Sequence, residues 1–465
     1  MKYILGVDVG TTSLKAVLFD ETATPVMSVT KDYTLLVSGD RVEFPAEDYW
    51  TLFSEALEEI TAQYPVAALS IDTQCETLIV TDQDGKPLMN AIVWLDNRAA
   101  AEADALREKF SEQKVYEITG QPEVTATWPA CKLLWLKNQA PELHSRIGKV
   151  FLLEDYLLYR LTGKFVTERT LQSSTIYYDI CRGTWWEEML TEIGICADQL
   201  PSLYGSGEIV GQYKDITVVT GCIDQIAGAV GAGVVSRDVI SEMTGTTMAI
   251  FVPTDGVPAY DGSKIPCHVN WDGKYCLLSW SPTAGMALKW FKSNFCEGMD
   301  FDKLNELAAA VPVGSDGLTF LPYLCGSTMP KYNPDARGAF FGLTLEHTRG
   351  HCVRAIMEAV ACMLRENLEY LGIDCQEIRA MGGGAKSDLW CQIMADLCGK
   401  TIVTLKNDET ACLGSAILAG TALGIFDSVE AACAKAVSIN KTYHPSGDDY
   451  TACYERFRKL EDMVV

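Results

Sequence analysis

One carboxylate stands at a change of pattern. Residues 216–219 form an apolar run of β-strand composition, and residues 226–231 are small and apolar, as in a tightly packed helix. Asp224 lies between them, followed by Gln225. A carboxylate at a strand-to-helix junction faces the crevice at the carboxyl ends of a sheet, where α/β proteins bind ligands. The N–H groups that open the helix favour its charged form. The same place also suits an N-cap aspartate with no further role.

A second chemical unit is a turn. The apolar run 4–7 leads into Asp8-Val9-Gly10-Thr11-Thr12-Ser13, and residues 14–19 return as a second strand. Glycine with hydroxyl residues makes a tight turn whose outward N–H and O–H groups suit phosphate. Asp8 stands where a carboxylate meets a cation, and Mg²⁺ favours carboxylates, water and phosphate oxygens. The pattern returns far along the chain: strand 239–243, the turn Thr244-Gly245-Thr246-Thr247, then strand 248–252. This echo predicts two related halves facing each other, with their hydroxyl turns across a cleft.

Three further stretches carry polar or conformational chemistry. Thr73-Gln74-Cys75-Glu76-Thr77 joins the strands expected at 66–72 and 78–81. Alternation puts Gln74 and Glu76 on one face, and Glu76 suits the hydroxyls of a polar ligand; a solvated turn is the alternative. Cys75 has no histidine nearby in sequence to activate it. Strand 378–381 runs into Gly382-Gly383-Gly384-Ala385-Lys386-Ser387 and a helix from Asp388. Such glycines let a backbone approach a nucleotide, although neither GxGxxG nor a P-loop is present. Trp128, ahead of the helix bearing Lys132, suits either the apolar face of a sugar or the core.

The elements that position these residues alternate between strand and helix, which makes the class α/β. Trp50, Phe53, Leu57 and Ile60 fall at helical spacing within 45–62. Further helices are expected at 281–295, 301–310, 351–371, 411–422 and 450–463, strands at 91–94 and 150–153, and a Thr/Ser-rich loop at 167–175. With 465 residues, 48% of them hydrophobic, the chain exceeds one core and predicts two or three domains. A net charge of −24 argues against a nucleic-acid partner. The 17 cysteines, among them Cys352, Cys362, Cys391 and Cys398, follow apolar helical patterns, as small buried hydrophobes do in a reducing cytosol. No apolar run spans a membrane, and Asp8 interrupts the first one, so neither membrane nor secretory signal is expected and the location is cytoplasmic.

In order and spacing, the Asp8–Thr12 turn with Lys15, the 74–77 turn, the Asp224-Gln225 junction, the 244–247 turn and the 382–385 turn resemble the FGGY carbohydrate kinases, a branch of the actin/hexokinase-like fold. The resemblance covers essentially the whole chain and includes 132–138 and 338–343. It implies two ribonuclease H-like domains flanking a central ATP and substrate cleft, at 1–237 and 238–447, with a C-terminal helix at 448–465. It places Gly10, Thr11, Thr12, Ser13, Lys15, Gly245, Thr246 and Thr247 at the phosphates of ATP, and Gly382, Gly383, Gly384 and Ala385 at the adenosine. Asp8 and Asp224 would meet Mg²⁺, Asp224 would be the catalytic base, and Gln74, Cys75, Glu76, Trp128, Asp224 and Gln225 would line the substrate.

The substrate motif is a hybrid. Leu321-Pro322-Tyr323-Leu324, Asn333-Pro334 and 340–344 are similar to xylulokinases, which carry Met-His where this chain has Cys75-Glu76. Gln74-x-Glu76-Thr77 with Asp224-Gln225 is similar to glycerol kinases, which have arginine at Cys75. The resemblance thus implies a small sugar or polyol substrate, with a ketopentose such as xylulose as first choice. The alternatives are glycerol or a tetritol, or a non-catalytic sugar- or nucleotide-binding regulator. A homodimer is the assembly expected.

Overall fold

The computed structural model describes residues 2–464. Two large sheets organise it. The first has the strand order Ile209–Tyr213, Ile216–Val219, Val66–Thr73, Tyr3–Val9, Ser13–Phe19, Pro25–Asp32. Its last three strands form an antiparallel meander, and Val66–Thr73 and Ile216–Val219 join parallel to Tyr3–Val9. The second sheet runs Cys267–Val269, Tyr275–Ser281, Met248–Thr254, Val239–Thr244, Glu377–Met381, Thr401–Leu405, Ile439–Tyr443. It repeats the layout: an antiparallel meander through Val239–Thr244, then parallel Glu377–Met381 and Thr401–Leu405. The sequence echo of two Gly-Thr-Thr hairpins is therefore an echo of whole sheets.

Parallel strands buried on both faces need continuous apolar runs, and Tyr3–Val9 and Val66–Thr73 supply them. The helix Thr410–Ala422 belongs late in sequence, yet it packs on the first sheet and on the helix Asp224–Gly231. The approach is backbone on backbone. A Cβ on Gly6 would lie 1.8 Å from the Cys412 carbonyl oxygen, and one on Gly414 would lie 2.0 Å from that of Ala227. Gly414 and the small residues of this helix thus serve packing. A five-stranded sheet of residues 36–152 and its helices enlarge the first half. The final helix, Thr451–Glu461, buries Tyr454 and Phe457 in the second core.

Most expected elements are present, with informative exceptions. The helix expected from 281 begins at Gly285, because Ser281 ends a strand paired with Met248. The strand expected at 91–94 spans only Ala91–Ile92. The Thr/Ser-rich stretch 167–175 is not a surface loop. It forms the end of strand Val166–Glu168 and the short helix Arg169–Gln172, and every residue from Thr170 to Thr175 is buried. The hydroxyls of Thr167, Thr170, Ser173 and Thr175 are hydrogen-bonded within the protein, a pattern that composition alone reads as solvent-facing. Among the described residues all 17 cysteines are free, with Cys362 and Cys391 buried and Cys352 and Cys398 half-buried.

Candidate active site

The first hairpin turn closes with the Gly10 N–H donating to the Ser13 carbonyl at 3.0 Å. Tyr33 braces it: its N–H donates to the Thr12 carbonyl at 2.9 Å and its hydroxyl to the Gly10 carbonyl. Trp94 donates from its ring N–H to the Thr11 hydroxyl at 3.0 Å. Asp8 is in register with Asp72 on the parallel neighbour and with Lys15 on the antiparallel one, so the three share a face. Lys15 forms an ion pair with Glu409, at the start of the Thr410–Ala422 helix.

Asp72 is fully buried and accepts from Ser415 at 2.6 Å. Oδ1 of Asp8 and Oδ1 of Asp72 are buried and receive no hydrogen bond from another side chain or N–H. Burial and the charge of Asp8 push Asp72 well above the usual carboxylate range. Burial raises the Asp8 carboxyl itself to about 6. Asp72 is a site residue that the sequence reading passed over; an aspartate inside an otherwise apolar strand was its signal.

The second turn closes with the Gly245 N–H donating to the Thr247 carbonyl at 2.9 Å. The Thr246 carbonyl accepts from Ala284 and Met286 at 3.1 and 3.2 Å, which ties it to the helix Gly285–Phe295. Gly382 lies alongside with φ of +77°, where a Cβ would sit 2.8 Å from the Thr244 carbonyl oxygen. Gly383, Gly384 and Ala385 continue into Ser387, which caps the helix Asp388–Cys398 and donates to Asn305 at 2.8 Å. Between these turns lies a pocket of about 420 Å³ whose walls include Thr246, Gly383, Ser387, Phe301 and Trp390. A second cavity of about 660 Å³, lined by Gly382, Thr404, Lys406 and Lys441, lies against the same glycine turn.

Asp224 is the first residue of its helix, not the cap: Ile223 holds the N-cap position, with extended backbone. Its Oδ1 accepts from the Gln225 N–H at 2.7 Å. That donor does not win. Burial, then the negative charge of Asp8, then that of Glu76, raise the Asp224 carboxyl to about 8. The expectation that the helix terminus favours the charged form is reversed by burial first and by the neighbouring carboxylates second. Gln225 is exposed beside it.

The alternation that would put Gln74 and Glu76 on one face fails, because Glu76 has φ of +65° and the strand ends at Thr73. The Gln74 amide is buried and donates to the Tyr49 hydroxyl at 3.2 Å. Glu76 turns toward Lys132, a buried lysine whose ammonium donates to the carbonyls of Glu76 and Val93 at 2.9 and 3.0 Å. Burial pushes Glu76 up to about 7 and Lys132 down to about 8, and each charge partly restores the other. Burial and the charges of Glu76 and Asp224 keep Cys75 a thiol rather than a thiolate. Trp128 is half-buried at the start of the helix Pro129–Gln139, and its ring N–H donates to the Glu123 carbonyl at 2.8 Å.

Asp8, Asp72, Asp224 and Glu76 thus form one electrostatic group beside the hydroxyl turn of the first half. The family model for the N-terminal domain of FGGY carbohydrate kinases matches residues 3–233, and that for the C-terminal domain matches 267–423. The chain belongs to the FGGY family of carbohydrate kinases. It is 29% identical to a xylulose kinase of Bacillus subtilis, over 100% of this chain and 96% of that one. It is 31% identical to a gluconokinase of the same species, over 92% of this chain and 89% of that one. A ligand-bound xylulose kinase from Lactobacillus acidophilus superposes with a TM-score of 0.92 at 28% identity, covering 100% of this chain and 98% of that one. The two repeated sheets are the two actin/hexokinase-like halves of an FGGY kinase, and the activity is phosphoryl transfer from ATP to a carbohydrate hydroxyl.

A cation fits the residues present. Among the described residues no three His, Cys, Asp or Glu side chains gather as a metal site. Asp8, with an orphaned buried oxygen, offers a ligand to an ion that takes most of its shell from phosphate and water, as Mg²⁺ does. No helix among the described residues is long and apolar enough to cross a membrane.

Proposed function

We propose that this FGGY kinase phosphorylates a small neutral ketose, with a ketopentose such as xylulose as the first choice, and that Asp224 is the base. The observation that carries the reading is the placement of the raised Asp224 carboxyl beside Asp8 and Glu76. Asp224 takes the proton of the attacking hydroxyl, that oxygen bonds to the γ-phosphorus, and the bond to the β–γ bridging oxygen breaks to release ADP. A positioned base contributes roughly 10²–10⁴-fold. The rest of the barrier falls by positioning and charge stabilisation.

The turns Gly10–Ser13 and Gly245–Thr247 would hold the phosphates by N–H and hydroxyl groups. The pocket between Phe301, Trp390 and the 382–385 turn would take the nucleoside. Bound Mg²⁺ would neutralise phosphate charge, held by Asp8 with Asp224 nearby. Lys15, paired with Glu409, would reach phosphate only by exchanging that partner. Glu76, Gln225, Cys75 and Trp128 would face the sugar, while Gln74 would support the turn through Tyr49.

The xylulose kinases among the relatives support the ketopentose. The three carboxylates argue against an aldonate, whose own charge they would repel, although a gluconokinase is as similar in sequence. Glycerol or a tetritol remains the alternative, through Glu76. The domain limits 1–237, 238–447 and 448–465, a homodimer and a cytoplasmic location complete the proposal.

The test is ADP release with Mg-ATP across pentuloses, glycerol, tetritols and gluconate. A pentulose giving the highest kcat/KM supports the reading. Preference for gluconate overturns the electrostatic argument, and full turnover by Asp224→Asn removes the base.

A further inference from the structure

The sheet ladder stops four residues before Asp224's helix is under way. Ile216–Val219 pairs with Val66–Thr73 as far as Val219 opposite Ser70. From Thr220 to Ile223 the backbone is buried but belongs to no strand or helix. Buried N–H groups need partners: Thr220 finds the Glu208 carbonyl at 2.9 Å, and side chains from elsewhere in the first half serve Gly221 and Ile223. The Gly221 N–H donates to Oε1 of Glu154 at 2.8 Å, and the Ile223 N–H donates to the Thr170 hydroxyl at 3.0 Å. Both acceptors are buried, Glu154 on the helix Leu153–Thr162 and Thr170 on the helix Arg169–Gln172.

The Thr170 hydroxyl is itself oriented. It has one proton, which it donates to Oε1 of Glu168 at 2.7 Å. Its lone pairs are left for Ile223. Glu168 is fixed in turn by the Thr170 N–H at 2.7 Å, the Ser206 hydroxyl at 3.1 Å and the Leu171 N–H. On the opposite side a single bridge joins Ile223 to Thr73, next to the turn that carries Glu76. The segment has no slack there: a Cβ on Gly221 would lie 1.9 Å from the Ile71 carbonyl oxygen.

We propose that Thr170, oriented by Glu168, and Glu154 are positioning residues for Asp224. They replace the missing sheet ladder and fix the peptide that aims the Asp224 carboxylate, without touching substrate. The proposal rests on the reading of Asp224 as the base. Its scale follows from geometry, since a misplacement of about 1 Å costs about 10²-fold in rate.

The test compares Thr170→Val, which keeps the shape and removes the acceptor, with Thr170→Ser, which restores it. Thr170→Val is expected to lower kcat by about 10–100-fold, with KM for sugar and for ATP each within about threefold of the parent enzyme. Thr170→Ser is expected to recover kcat to within about threefold. A folded Thr170→Val with kcat within about twofold of the parent, or a Thr170→Ser no better than valine, overturns the proposal. If Thr170→Val does not fold, Ser206→Ala loosens Glu168 more gently. It is expected to reduce kcat by about twofold to fivefold at unchanged KM, and unchanged kcat there overturns the proposal. Asp224→Asn is measured alongside. Its full activity would sink the base assignment itself, whereas an inactive Asp224→Asn with a normal Thr170→Val would sink only the positioning role.

Discussion

At the first hairpin, Asp8 stands two residues before the turn glycine, with Asp72 beside it on the parallel strand and Lys15 on the antiparallel one. At the second, the same three places hold Met243, Met381 and Ala249. The topology is repeated and the charge is not. The connection after the parallel strand differs in the same sense. In the first half it is Gln74-Cys75-Glu76, a turn that carries polar side chains, and in the second it is Gly382-Gly383-Gly384, a turn of bare backbone. At these matched places the first half carries ionisable side chains, and the second carries apolar side chains and bare backbone. An acceptor hydroxyl needs a base and directional hydrogen bonds, whereas a nucleotide needs close backbone approach.

Substitutions at matched places test this division most strongly. Asp8→Ala is expected to lower kcat/KM by about 10²–10³-fold, the usual range for losing a group that stabilises developing charge. Met243→Ala, its counterpart, is expected to change it less than about threefold. Equal losses in steady-state assays would end the comparison. Next in size, Glu76→Ala is expected to raise the sugar KM by about 10–100-fold, the scale of a hydrogen bond to a charged group, and to leave the ATP KM alone. Gly382→Ala, at φ of +77°, is expected to do the reverse, raising the ATP KM by about tenfold. It also carries about 1–2 kcal/mol of backbone strain. If either variant weakens both ligands alike, the two turns do not divide the labour.

The smallest effect concerns the buried acids of the first half. Asp155 is buried, and burial raises it from its ordinary value of 3.8 to about 8. Between those values the folded protein binds more protons at this group than the unfolded chain, so its contribution to stability is greatest at low pH and is lost as pH climbs toward 8. Asp155→Asn is expected to flatten the decline in Tm between pH 5 and 8 by a few degrees, since about 1 kcal/mol shifts a domain of this size by roughly 2–4 °C. A decline as steep as the parent's would assign it to other groups.

What the sequence made legible was local. The two Gly-Thr-Thr hairpins, the Asp224 junction and the 382–385 turn each lie within sixteen consecutive residues, and their order pointed to the fold. Contacts between distant segments were not legible. Asp72 finds Ser415 across 343 residues, and Thr170 looked like part of a polar loop because its partner Ile223 lies 53 residues on. The shared face of Gln74 and Glu76 failed for a different reason: alternation assumes extended backbone, and Glu76 is left-handed.

The helix Thr410–Ala422 has a consequence for how this chain is made. It covers the strand Tyr3–Val9 from far along the chain, so during synthesis that strand waits for the whole intervening stretch before its face is covered. The amino-terminal half cannot finish folding as an independent unit ahead of the rest, and a fragment ending near residue 237 would be born with its sheet uncovered. In this kinase an early strand is covered by a late helix.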